Sequence, residues 1–434
     1  MSARHLVLAL GLALPAFSAQ AVVGTNDNVP AATLLLPYFE ARYLDSAEQN
    51  APATEANTMM QVRNSDTQAR LVHVTLWTDY GLPTLGFYVY LNAGDSQDID
   101  LRLTMNGVLP TTGPGVTRLN NQMGSHTSFP GCPAVMYPQR LDPQAVTDLR
   151  NAHTGRPTGL FANTCASSSY GDDIARGYAT VDVVNGCDAQ GRLPDDDGYF
   201  VAGGGGVASN ANVLFGEWSI THEAHNFSFA DRLVSIEADA GNPITSGDAY
   251  TFYSGVAQGS ADNREPLGTT YRPRYLTGGV ETYHTDLIVW RDPHQRVTAL
   301  SCNLGAPAPF PLGTREIVLF DEQSDALRLD PARRPFALAT QRVRMSGDAV
   351  DTLSSPFPFG AMHVSLNDPG GAQFDPPIRR QGWVMTATAS EGRFQSGQAA
   401  VALDNASNPI QFSIAGASLP VWPSPAPPPP PSTP

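Results

Sequence analysis

Lysine is absent from this sequence of 434 residues, so all 26 of its basic residues are arginine. That excludes Schiff-base lysine chemistry and the lysine of a phosphate-binding P-loop, and with them two large enzyme classes. Metal-ligand spacing is missing as well: the four cysteines, Cys132, Cys165, Cys187 and Cys302, form no C-x-x-C or C-x-x-H pattern. No G-x-S-x-G elbow marks a serine nucleophile. Charge is sparse, at 15% of residues, and one-sided, with 26 basic against 41 acidic residues for a net charge of −15. A surface of that sign repels phosphate backbones and anionic headgroups, which argues against nucleic acid or an anionic membrane as partner.

Long apolar runs are also scarce, and the exception lies at the N-terminus. Arg4 and His5 precede the apolar run Leu6 to Phe17, and Ser18-Ala19-Gln20-Ala21 follows with the small-x-small pattern that signal peptidase accepts. The run is too short for a bilayer core that needs about 20 apolar residues. Residues 1–21 are therefore expected to be a cleaved secretory signal, with the cut before Val22. The mature chain is then exported, whether secreted, periplasmic or held at the cell surface, with no later membrane-spanning segment and no lipidation signal. Loss of Arg4 takes its net charge from −15 to −16.

In an oxidising compartment the cysteines pair. Of the three pairings open to them, Cys132 with Cys165 and Cys187 with Cys302 is the expectation. The first pair flanks one polar segment, and the second ties that segment to later strands. Loop closure would contribute roughly 4 and 5 kcal/mol before native strain is subtracted.

What the sequence does hold is alternation of apolar and polar residues with period 2, punctuated by turn residues. Strands are expected at Leu34–Phe39, where Pro37 suggests a sheet edge or strand end, and at Thr58–Arg63, Arg70–Trp77, Leu85–Leu91 and Ile99–Leu103. In the third of these, Val72, Val74 and Leu76 share one face, and Leu71, His73, Thr75 and Trp77 the other. Further strands are read at Tyr178–Val184, Val213–Ile220, Leu233–Ala238, Thr285–Arg291, Val297–Cys302, Glu316–Phe320, Met362–Leu366 and Trp383–Ala389. Ala399–Leu403 and Ile410–Ile414 form a closing pair. Residues 105–175 are weakly periodic, with one helix expected from Asp142 as N-cap through Pro143 to Arg150.

The fold class that follows is mainly β: one or two antiparallel β-sandwich units of immunoglobulin-like type, a loop-rich disulfide-bridged insertion, and few short helices. Along the chain this places N-terminal sandwich strands in 22–110, the insertion and central strands in 111–310, and a C-terminal β region in 311–420. A proline-rich tail occupies 421–434, whose run Pro427 to Pro431 reads as a polyproline II spacer.

Candidate chemistry is thin. His222-Glu223-Ala224-His225 has the residue types of a zinc peptidase, but its histidines stand three apart rather than four, and in a strand they would face opposite ways. A polar turn is the preferred reading. Asp195, Asp196 and Asp197 precede Gly198, with Asp188 nearby, and hard oxygen ligands before a glycine turn can wrap calcium; Leu193 stands where an EF-hand needs an acid, so a solvated acidic turn is preferred. Glu237 and Asp239 stand at i, i+2 on one strand face and, with Glu217 and Glu223, are the candidate acids of a hydrolase. Tyr88 and Tyr90 oppose Phe87 and Val89, so one face is either an aromatic strip for stacking on sugars or part of the core, the latter preferred. The glycine run Gly203 to Gly206 lacks the strand, lysine and helix of a phosphate loop and reads as a turn.

Several stretches together carry a resemblance. LLLPYFEARY near residue 34, RLVHVTLWTDYGLPTLGFYVYLN from Arg70, GYATVDVVNGC ending at Cys187, NANVLFGEWSI from Asn210, LVSIEAD from Leu233, TDLIVW from Thr285 and VLFDEQ from Val318 are similar to a group of secreted proteins of proteobacteria. The resemblance covers most of the mature chain but brings no activity, ligand or catalytic residue with it. At TDLIVWRDPHQR the chain departs from the group, whose members tend to carry a lysine there. The first strands also resemble immunoglobulin-like modules of bacterial surfaces, at the level of fold alone. The expectation is thus a non-enzymatic envelope or extracellular protein that binds a cell-surface protein or polysaccharide. A secreted hydrolase of polysaccharide or peptide, and a calcium-dependent adhesion module, are the alternatives. Calcium is the one cofactor considered.

Overall fold

The computed structural model describes residues 29–43, 56–110, 140–223, 227–239, 251–257, 262–278, 283–292, 298–302, 316–323, 325–330, 336–348, 353–366, 380–390, 394–403 and 419–422. The expected signal, Cys132, His225, the expected strand Ile410–Ile414 and the proline run Pro427 to Pro431 lie outside them. The first half contains β1 (Thr33–Arg42), β2 (Asn57–Asn64), β3 (Arg70–Thr78), β4 (Pro83–Leu91), β5 (Ser96–Asp100), α1 (Leu101–Met105), α2 (Pro143–His153), β6 (Ile174–Val184), β7 (Leu214–His222), β8 (Phe227–Arg232) and β9 (Val234–Ile236). The second half contains β10 (Thr270–Arg272), β11 (Arg274–Leu276), β12 (Tyr283–Arg291), β13 (Glu316–Phe320), β14 (Ala326–Leu329), β15 (Thr340–Met345), β16 (Phe359–Ser365), β17 (Gly382–Ser390), β18 (Phe394–Ala399), β19 (Val401–Ala402) and β20 (Val421–Trp422).

The fold is mainly β, and the described residues form four sheets whose pairings are antiparallel except β14 with β20. One sheet runs β4-β3-β6-β1-β9, another β5-β2-β7-β8, a third β15-β12-β17-β18, and the largest β19-β10-β16-β13-β14-β20 with β11 also on β16. In β3, the run Leu71 to Thr78 is buried on both faces. The side holding Leu71, His73, Thr75 and Trp77 therefore does not face water. It forms a polar inner layer in which Trp77 Nε1 donates to Thr180 Oγ1 at 2.9 Å and the Trp77 ring stacks on Tyr178 at 5.5 Å.

β1 is the spine between the halves. Nine of its ten residues are buried. Its Pro37 lies mid-strand, past Leu35 where the pairing with β9 stops, so one side of β1 is a local edge there, and the β1–β6 register shifts between Leu36 and Phe39. A proline is tolerated in a strand at such an edge and at a bulge, because neither asks for its missing N–H. The freed Pro37 carbonyl accepts Thr340 Oγ1 at 2.6 Å, which docks the start of β15 on β1. Beside it the Asp79 carbonyl accepts Ala339 N at 2.8 Å.

Helix α2 forms as expected: the Asp142 carboxylate caps Ala145 N and proline stands in its first turn. The expected strand through Leu103 ends early. The Asp100 carboxylate accepts Leu103 N at 3.0 Å and starts α1, which buries Leu101, Thr104 and Met105 at helical spacing. In the described part of the expected strand Val297–Cys302, pairing is limited to one bridge, Leu300 with Cys165. Strands β14 and β15 stand where none was expected.

That single bridge corrects the disulfide assignment. Cys165 and Leu300 exchange backbone hydrogen bonds at 2.8 and 2.9 Å. This brings Cys302 beside Cys165, with Cα atoms 4.9 Å apart, and these two form the disulfide. The expectation that Cys132–Cys165 would flank the polar segment and Cys187–Cys302 tie it to later strands is overturned, because backbone pairing places Cys165 beside Cys302. Cys187 is disulfide-bonded as well.

Candidate functional site

Strand β7 runs in hairpin register with β8, and its last residue, His222, turns inward instead of toward a metal partner. Its Nε2 lies 2.7 Å from Glu40 Oε2. Glu40 belongs to β1 just past the Pro37 bulge and is buried. Its carboxylate accepts Tyr38 Oη at 2.5 Å and Arg342 Nη1 at 3.2 Å, with Arg176 Nε at 4.0 Å. Arg342, on β15, also binds Asp286 of β12 through Nε at 2.8 Å and through Nη2, and Arg344 Nε adds a contact to Asp286 at 3.1 Å. The Phe227 ring lies 4.6 Å from the Arg342 guanidinium and meets His222 edge-on. Arg176 completes the group, paired with Asp172 at 2.8 Å and placed 4.3 Å over Tyr170.

Charge compensation dominates this cluster. Burial pushes the Glu40 carboxyl up, but Arg342, His222 and Arg176 outweigh it and hold the group well below the usual carboxylate range. At Asp286 burial is likewise overcome by Arg342 and Arg344. Both acids stay ionised and bound to cations, so neither is set up to deliver a proton as a general acid. The arrangement ties β1, β6 and β7 of one half to β12 and β15 of the other.

A second cluster occupies the polar inner layer of the first sheet. Asp182 on β6 is fully buried and accepts Tyr253 Oη at 2.9 Å, Tyr199 Oη at 3.1 Å and the Thr33 hydroxyl. Arg264 Nε stands 3.5 Å from it, and Arg264 Nη2 donates to Ser209 O at 3.1 Å, with the guanidinium 4.8 Å over the Phe200 ring. His73 Nδ1 meets the same Tyr199 hydroxyl at 3.0 Å. Burial holds His73 down at about 4, so the ring is neutral near pH 7. Because Tyr199 donates to Asp182, the proton between Tyr199 and His73 belongs to Nδ1.

The acids singled out from the sequence separate into two places. Glu217 on β7, opposite Gln61 and Arg232, is exposed, and so is Glu223 just beyond the strand. Glu237 and Asp239 flank the bridge of Ala238 with Arg264. Their backbones bond Glu265 N at 2.8 Å and Asn263 O at 2.9 Å. Glu265 thereby joins them. Its pKa is raised by partial burial and then by the negative charges of Glu237 and Asp239. Nothing in the local sequence around Glu265 signals this, because the partner strand arrives from more than twenty residues away.

The acidic turn does not converge on one point. Asp195 is buried, Asp196 Oδ2 accepts Leu193 N at 2.9 Å, Asp197 is exposed, and Asp188 pairs with Arg192 at 3.0 Å. Among the described residues no group of three or more His, Cys, Asp or Glu side chains gathers to hold a metal ion. Tyr88 and Tyr90 are both buried, and Tyr88 stacks on His73 at 4.6 Å, so these aromatics belong to the core. No family model matches the chain, and neither does any curated protein or solved structure.

Proposed function

We propose that the chain is an exported, non-enzymatic protein of the cell envelope or extracellular space: a scaffold of immunoglobulin-like β-sandwich units that binds a cell-surface protein or polysaccharide. The observation that carries this reading is how the buried ionisable groups are used. Glu40 receives His222 and Arg342 from two other sheets, Asp286 receives Arg342 and Arg344 from the neighbouring strand, and Asp182 receives the hydroxyls of Thr33, Tyr199 and Tyr253, which is the chemistry of a tie and not of a reaction centre. The Cys165–Cys302 disulfide suits an oxidising compartment, and no helix among the described residues is long and apolar enough to cross a membrane. Fractionation of the native host with N-terminal sequencing tests export. The mature chain is expected outside the cytoplasm beginning at Val22, and an intact N-terminus on cytoplasmic protein refutes it.

One observation favours a second reading, a secreted hydrolase of polysaccharide or peptide. Glu265, whose pKa is raised by burial and then by Glu237 and Asp239, adds a third carboxyl to the two that stand at i, i+2. A panel of polysaccharides and peptides incubated with the purified chain separates the two readings. Turnover that disappears in Glu265→Gln favours the hydrolase, and absence of turnover across the panel favours the scaffold.

A further inference from the structure

Arg291 closes β12 with its side chain fully buried. Its backbone N–H donates to Ala339 O at 2.6 Å, and its Nη2 donates to Phe336 O at 2.6 Å. Nε and Nη1 make no hydrogen bond among the described residues. Packing around the stem is close: a Cβ on Gly382 would fall 3.2 Å from Arg291 Cγ and 2.3 Å from Leu366 Cδ1. Two influences act on the charge of this side chain, and both disfavour it: burial first, and then the positive charge of Arg380, itself buried.

Two other deep arginines are treated differently. Arg264 faces Asp182, and Arg342 faces both Glu40 and Asp286. A guanidinium does not shed its proton in a protein, and a buried charge persists only with compensation. Arg291 has the donors and the charge of an anion site, and its protein-borne environment supplies positive charge where negative is needed.

We infer that Arg291, backed by the charge of Arg380, binds a small monovalent inorganic anion of the halide class inside the C-terminal half of the protein. Two donor nitrogens suit a sphere, whereas the four oxygens of a phosphate or sulfate would need more donors than Arg291 offers. A divalent anion would also lose more hydration free energy on burial than a monovalent one.

The test is thermal unfolding of the full chain at pH 7 and fixed ionic strength, with gluconate replaced stepwise by chloride or bromide. Above the halide Kd, each tenfold rise in halide is expected to multiply the folded-to-unfolded ratio about tenfold. Arg291→Met is expected to abolish the response. A flat response in the unsubstituted chain, or an equal slope in Arg291→Met, overturns the inference. Should Arg291→Met fail to fold, crystals of the unsubstituted chain grown in bromide decide: an anomalous peak beside the Arg291 guanidinium supports the site, and none there refutes it.

Discussion

Replacing Glu40 by glutamine tests whether the charge cluster holds the two halves together. Glutamine keeps the shape and one carbonyl acceptor but removes the negative charge on which Arg342, His222 and Tyr38 converge. Arg342 retains Asp286, so the loss is partial; breaking one side of a buried pair costs about 3–5 kcal/mol, and about 3 kcal/mol is expected here. The assay is denaturant unfolding at pH 7 of the unsubstituted chain, Glu40→Gln, Arg342→Met and the double variant. Residues in one ion-pair network couple by about 0.5–3 kcal/mol, and the upper half of that range is expected. The pH dependence supplies an independent check. Glu40 has a folded pKa depressed below its unfolded value of about 4.3, so its contribution is fully present above that pH and is lost as pH falls. The gap between the unsubstituted chain and Glu40→Gln should therefore hold steady from pH 7 down to about 4.3 and narrow below that. Coupling under about 0.5 kcal/mol together with a gap that does not narrow would refute the reasoning.

Removing the disulfide with Cys165→Ala and Cys302→Ala should cost up to about 5 kcal/mol, because the bond closes a loop across a sequence separation of 137 residues; non-reducing peptide mapping should recover Cys165 joined to Cys302. Asp79 is buried, accepts Ser168 N at 3.1 Å, and is pushed up to about 8 by burial. Its folded state holds the proton more tightly than the unfolded state does. Its contribution should therefore fall as pH rises from about 4 to 8, and Asp79→Asn should remove that component from unfolding midpoints measured across the window. At Gly177 an added Cβ would lie 2.0 Å from Trp77 O, inside the β3–β6 ladder. Gly177→Ala should destabilise by about 1–3 kcal/mol in the same unfolding assay, and a neutral result would mean that the two strands are not packed at this register.

Strands were legible wherever burial or turns imposed a strong local pattern. Glu316–Phe320, Trp383–Ala389 and the helix capped by Asp142 were all readable, because period, cap and turn chemistry act over a few residues. Strand β15 was not, since Thr340–Met345 carries Arg342 and Arg344 inside the strand and looks like a polar loop until Glu40 and Asp286 are seen to receive them. The inner face of β3 was legible as a face, but not as a buried one. His73 acquires its cover from Tyr199, far along the chain.

The candidate site divides in the same way. His222 stood out from its neighbours, yet its partner Glu40 lies 182 residues away on another strand. Glu237 and Asp239 were read from their i, i+2 spacing, while Glu265 joins them only through a bridge to a distant segment. By itself, then, the sequence determined the β class, the missing lysine chemistry, the acidic balance and most of the strands, since these depend on composition and short-range periodicity. Only the tertiary structure decided which cysteines join, that Pro37 bulges within a sheet, and that the strongest charges tie two halves together. Those outcomes depend on register between segments more than a hundred residues apart, and no local pattern encodes register at that distance.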